Sequence, residues 1–128
     1  MKGWLSPVRV ALDARTSPVR VFCRDDDAGW DDARLARLLD RCADAGAPID
    51  LAVIPVEIDD ARAEWLLARR DAYPSRLGLH QHGWAHINHE PAGRKCEFGA
   101  ARSVAALRAD VERGRDAMVR AFGRACDP

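Results

Sequence analysis

The stretch Leu77-Gly78-Leu79-His80-Gln81-His82-Gly83-Trp84-Ala85-His86-Ile87-Asn88-His89 decides how this chain is read. Its first four residues form a short, largely apolar run after Tyr73-Pro74 and predict a β-strand. That strand leads directly into a cluster holding all 4 histidines of the chain. Upstream, Asp25-Asp26-Asp27 closes a second run, Val19-Arg20-Val21-Phe22-Cys23-Arg24, which is rich in β-formers and predicts a buried strand. Two clusters of metal-ligating residue types thus stand just past predicted strand ends.

Between the clusters, strand and helix patterns alternate. Asp31 or Asp32 can cap a helix whose apolar residues Leu35, Leu38, Leu39 and Cys42 share one face, and Gly46 and Pro48 close it. Ile49-Asp50-Leu51-Ala52-Val53-Ile54 predicts a second strand, stopped by Pro55. Residues 59–72 predict a helix with Asp59 and Asp60 at its positive end and Trp65, Leu66 and Leu67 as apolar surface. Beyond the histidines, 87–99 carries Pro91, Gly93 and Gly99 and predicts a loop. A long helix is expected from about Ala100 to Phe122, with Val104, Leu107, Val111, Met118 and Phe122 along one side. In front, Ser6-Pro7 matches an N-cap followed by proline, and Leu5, Val8 and Leu12 repeat at helical spacing. Ser-Pro-Val-Arg-Val recurs at 17–21, but two copies this short do not make a repeat architecture.

Three rounds of strand and helix predict an α/β domain over 1–128, with about three parallel strands, flanking helices and right-handed crossovers. Such folds place their sites at the C-terminal ends of strands. At 128 residues the chain is one domain, about half a complete enzyme barrel of roughly 250 residues. Its 20 basic and 20 acidic residues cancel, so neither nucleic acid nor an anionic membrane is an expected partner. No apolar run reaches the span of a bilayer, and Pro7, Arg9 and Asp13 interrupt any signal-peptide pattern. Cys23, Cys42, Cys96 and Cys126 form no Cys-x-x-Cys pair and are read as free thiols of a cytoplasmic protein. Cys96 follows Arg94 and Lys95, which favours its thiolate, although an ordinary thiol is the expected reading.

Three consecutive carboxylates repel one another unless a cation or hydrogen-bond donors hold them. By themselves they also fit a helix-capping acidic turn; joined to four histidines, they point to a metal. His82 and His86 are four apart, which suits two ligands on a helical turn, whereas a strand continuing through His82 would put it on one face with His80. Imidazole and carboxylate suit zinc, and also cobalt, manganese or iron. Two imidazoles and one carboxylate leave open positions, where a water becomes acidic enough to attack a carbonyl. An adjacent aspartate can take its proton. The pattern therefore supports metal-assisted hydrolysis.

The residues also resemble a family. Arg24-Asp25-Asp26-Asp27-Ala28-Gly29 is similar to the first motif of the polysaccharide deacetylases (NodB-homology, carbohydrate esterase family 4), and His82-Gly83-Trp84-Ala85-His86 to their second, His-Ser/Thr-x-x-His. The resemblance covers about 19–125 and extends to Gly93-Arg94-Lys95-Cys96-Glu97-Phe98-Gly99, which looks like the loop after that motif in a bacterial subgroup. It implies that Asp26 is the base and that Asp27, His82 and His86 bind the ion. Gly83 departs from the usual hydroxyl residue. Asp25, His80, His89, Trp84, Trp30 and Lys95 are expected neighbours of the ion or the substrate, with His80 and His89 able to stand in as proton donor and the tryptophans able to stack on a sugar.

The implied fold is a partial (β/α) barrel of the NodB type. The implied activity is removal of acetyl groups from N- or O-acetylated sugars by a zinc-type hydrolase. The family's later arginine, Pro-Tyr/Trp and histidine motifs have no match here, so the chain is expected to hold about the first half of such a domain. An inactive metal- or glycan-binding remnant is the alternative. An amidohydrolase-like site on His80-x-His82 and a phosphatase-like Asp25-x-Asp27 site are further ones. Three strands cannot close a barrel, so a free strand edge, an exposed apolar flank and self-association are expected.

Overall fold

Pro48 and Pro55 bracket an aliphatic run, and between them the chain forms the central strand of a three-stranded sheet. The structure is a computed structural model and describes residues 3–126. The strands are β1 (Arg24–Ala28), β2 (Ile49–Val53) and β3 (Leu77–Gln81), parallel and in the order β1-β2-β3. The helices are α1 (Ser6–Asp13), α2 (Asp32–Ala45), α3 (Asp60–Ala72) and α4 (Val104–Phe122). The fold is therefore α/β, with an open parallel sheet and flanking helices, compatible with part of a barrel.

Local chemistry sets most helix boundaries. Asp31 caps α2 by accepting from the Arg34 amide at 2.9 Å, and Gly46 ends it in the left-handed region at φ 62°. Asp59 caps α3 on the Arg62 amide at 2.8 Å, and Ser103 caps α4 on Ala106 at 3.2 Å. The Arg62 guanidinium forks onto both Asp32 carboxylate oxygens and also donates to the Glu57 carbonyl, while Arg69 pairs with Asp40. These contacts tie α2 to α3 along their length.

One apolar cluster joins Ile49, Leu51, Val53, Leu77 and Leu79 of the sheet to Leu35 and Leu39 of α2, Ala63 and Leu66 of α3, and Met118 and Phe122 of α4. Leu51, Leu66, Val53 and Ile54 are fully buried, each contributing about 1.5–3 kcal/mol by leaving water. Asp50, Gly78 and His80 belong to the opposite face by strand alternation. There the Asp50 carboxylate lies across Gly78, where a Cβ would come within 1.7 Å of its oxygen.

Four expectations need correction. The first strand is Arg24–Ala28, not 19–24; Val21 is 73% and Phe22 70% exposed, because β1 starts opposite Asp50 and pairing begins only where β2 does. The last helix starts at Val104, and its buried residues are Asp110, Gly114, Met118 and Phe122, a stripe four residues apart that leaves Val104 and Val111 exposed. Leu5 rather than Ser6 occupies the cap position of α1, which buries none of its side chains. Of the two placements open to His82, the helical turn with His86 is not formed; its amide continues the β3 ladder, on the face of His80, and the chain then loops to His86. The repeated pentapeptide is helical in its first copy and irregular in its second, as expected of coincidence. Among the described residues no helix is long and apolar enough to cross a membrane.

Candidate metal centre

The site begins with an irregularity in β1. Arg24 and Asp25 pair with Asp50 and Leu51, but Ala28 pairs with Val53, so β1 carries one residue more than its partner over this span. The extra residue makes a β-bulge, which re-aims side chains at a sheet edge. Asp27 occupies the left-handed region at φ 65°, a conformation aspartate tolerates better than most side chains. The ring at the other side comes from the end of β3. The His82 amide donates to the Val53 carbonyl at 2.7 Å, extending the ladder one residue beyond Gln81. The chain then turns through positive φ at Gly83 (64°) and His86 (54°).

These turns bring three side chains together. Asp27 Oδ1 lies 3.3 Å from His82 Nε2 and 3.2 Å from His86 Nε2, and one ligand atom from each residue falls within 4.8 Å of the others. That oxygen is buried yet accepts no hydrogen bond among the described residues. Two nitrogens and an oxygen aimed at one point without bonding to each other form a donor set that fits a divalent cation. The His82 and His86 rings stack at 5.0 Å, and the edge of Trp30 meets His86 at 4.7 Å.

The neighbouring carboxylates face different surroundings. Asp26 is exposed and accepts a charge-assisted bond from Arg24 Nε at 2.5 Å. The same guanidinium reaches His82 Nδ1 at 3.4 Å. Asp25 is half-buried; desolvation, then the charges of Asp26 and Asp27, raise its pKa above the usual aspartate value. Burial, reinforced by Arg24, lowers the pKa of His80, so its imidazole is a weak proton donor near neutrality. An open groove of about 340 Å³ runs along Asp25, Asp26, Asp27 and Trp30 towards Arg34 and Leu38, within the size range of small-molecule sites.

Most of the sequence-derived site converges here. Asp27, His82 and His86 stand together, Asp26 is linked to them through the Arg24 guanidinium that reaches both its carboxylate and His82, and Asp25, His80 and exposed Trp30 lie around them. Trp84 is engaged on one ring face by the Arg113 guanidinium at 5.0 Å, which suits a support more than a sugar platform. Arg113 and Arg102 both pair with buried Asp110 of α4, at 3.2 and 2.6 Å. Lys95 is exposed and lines a small cavity with His86, Asn88 and Glu97. His89 is exposed on the return of the loop, where its amide bonds the Cys96 carbonyl.

One contributor was not singled out by the sequence pattern. The Glu97 carboxylate accepts from three successive amides, Trp84, Ala85 and His86. Glu97 stands inside the 93–99 stretch that shares in the family resemblance, but nothing in its spacing specifies that contact. From below, Gln81 Nε2 donates to the Gly83 carbonyl at 2.7 Å and to the Val111 carbonyl at 3.1 Å, joining the turn to α4. Compared with protein-family models, curated proteins and solved structures, the chain matches none of them.

Proposed function

We propose that this chain is a metal-dependent hydrolase of the polysaccharide deacetylase kind, acting on acetylated sugars, with a NodB-type partial barrel as its fold. The observation carrying this reading is the convergence of Asp27, His82 and His86 around a buried, unbonded carboxylate oxygen. A zinc-type divalent ion held by those three side chains would supply Lewis acidity to an acetyl carbonyl and to a water.

The protein's own groups do the remaining work. Asp26 adjoins the ligand in sequence but faces solvent, and Arg24 fixes its carboxylate by the 2.5 Å bond. In that position it serves as the general base that takes the proton of the attacking water. Asp27 is committed to the histidine side and leaves that role free. Trp30 and the groove beside the three aspartates provide an exposed aromatic surface and room for a sugar ring. His80, kept neutral by burial, is poorly suited to protonate the leaving amine. The pairing of Asp27 with both histidines favours this reading over an Asp25-x-Asp27 phosphatase site, which would give the imidazoles no task.

The test is acetate release from N- and O-acetylated sugars with added zinc or cobalt, comparing wild type with Asp26→Asn. Release that falls at least about 100-fold in the variant is expected, within the usual contribution of a general base. Tight zinc binding without any release from the wild type would sink the hydrolase reading and leave a metal-binding protein.

A further inference from the structure

We infer that Glu97 is the positioning residue of the metal centre: its carboxylate holds the 83–86 turn in shape so that His82 and His86 are set before an ion arrives. This inference rests on the metal-site reading proposed above. Glu97 Oε1 accepts from the Trp84 amide at 3.2 Å and the Ala85 amide at 2.8 Å, and Oε2 accepts from the His86 amide at 3.2 Å. Successive amides pointing into one concavity make an anion-binding nest, and here the anion belongs to the chain itself.

The space for that carboxylate exists because residue 83 is glycine. A Cβ built at Gly83 would lie 2.2 Å from Glu97 Oε2 and 3.1 Å from the Phe98 ring, and the φ of 64° already disfavours a side chain there. Gly83 and Glu97 therefore act as a pair, one vacating the volume that the other's charge occupies. Without the carboxylate the Trp84 and Ala85 amides, which are partly buried, lose their acceptor. The left-handed His86 would lose the amide bond that holds its backbone in a conformation non-glycine residues seldom adopt.

The return of the loop is built the same way. Asn88 Oδ1 accepts from the Glu90 and Cys96 amides at 3.1 and 2.9 Å, and Glu90 Oε1 accepts from Ala101 at 3.0 Å. These bonds fix where Glu97 re-enters, so the carboxylate reaches the turn from an anchored segment. Both its oxygens are engaged by amides, so its part is to hold the ligands rather than to join them.

The experiment measures zinc affinity by calorimetry and amide hydrogen exchange in the metal-free state, for wild type, Glu97→Gln and Glu97→Ala. Glu97→Ala should weaken zinc about 10–100-fold, the usual cost of losing a group that orients a ligand. Glu97→Gln keeps one acceptor oxygen and should fall between the two. Exchange at Trp84, Ala85 and His86 should accelerate in the same order, with the α2 and α3 amides unchanged. Should the alanine variant not fold, Glu97→Gln alone decides. Wild-type zinc affinity in the folded variants would overturn the inference. Failure of the wild type to bind zinc would overturn the metal centre instead, and the exchange rates would then decide alone whether Glu97 holds the turn.

Discussion

Removing the Asp27 carboxylate should abolish most of the stabilisation that zinc gives the fold. The three donor atoms already lie within 4.8 Å of one another, and the contacts an ion would replace at Asp27 Oδ1 are those to the His82 and His86 nitrogens at 3.3 and 3.2 Å, which become fellow ligands. At free zinc 100 times the Kd, a ligand specific for the folded state contributes about 2.7 kcal/mol. For a chain of 128 residues, between the size classes in which 1 kcal/mol moves Tm by about 4–8 °C and about 2–4 °C, this predicts a rise of about 10 °C. If Asp27→Ala weakens binding 100-fold, the same zinc concentration contributes about 0.4 kcal/mol, a shift of about 1–2 °C. His82→Ala and His86→Ala should behave alike. Differential scanning calorimetry with chelator-buffered zinc reads these shifts directly. Exposed Cys23 and Cys96 are each a competing zinc ligand, so the cobalt-loaded protein should be checked for sulfur-to-metal charge-transfer absorption. Equal zinc-induced shifts in wild type and all three variants would refute the ligand assignment.

Three further outcomes are expected. In metal-free protein, Asp25→Asn should stabilise the fold at neutral pH: burial and the neighbouring aspartates raise the folded pKa of Asp25, so its contribution is present at low pH and lost as pH rises through that pKa. Urea unfolding between pH 3 and 7 checks this, and a gain independent of pH would contradict it. Gly114→Ala should destabilise, because its Cβ would lie 2.7 Å from the Gly83 carbonyl oxygen and 2.2 Å from Gln81 Nε2; overpacking of about 1–3 kcal/mol outweighs a helix-propensity gain of about 1 kcal/mol. A higher urea midpoint would show that α4 does not press on the ligand turn. Finally, wild type should self-associate through the open sheet and the exposed Val21 and Phe22, and Val21→Lys with Phe22→Ser should reduce it in sedimentation velocity. Concentration-independent monomers for the wild type would contradict that.

What could be read from the sequence follows the range of the interactions involved. The boundaries of α2 and α3 were legible because Asp31, Asp59 and Gly46 act within a few residues of where they stand. The pairing of Asp27 with His82 and His86 was legible because parallel strands bring their C-terminal ends together. The position of β1 was not. Val19–Cys23 has the composition of a strand, but a strand forms only where a partner exists, and β2 offers pairing from Ile49 onward. The buried stripe of α4 was also misread, since Asp110 and Gly114 look like surface residues until Arg102 and the Gly83 carbonyl are placed beside them. Glu97 lay beyond reach for the same reason: its partners are backbone amides, which carry no signature in the letters of the sequence.

The bulge in β1 changes what two adjacent letters can mean. In a regular strand, Asp25 and Asp27 would be equivalent and Asp26 their opposite, so neighbouring carboxylates would be sorted between the front and back of the sheet. The inserted residue breaks that two-step count: Asp26 keeps the side it shares with Arg24, while Asp27 turns onto the histidines. Under the proposed hydrolase reading, base and ligand can then be consecutive residues, because the sheet's rhythm is offset by one between Asp25 and Ala28.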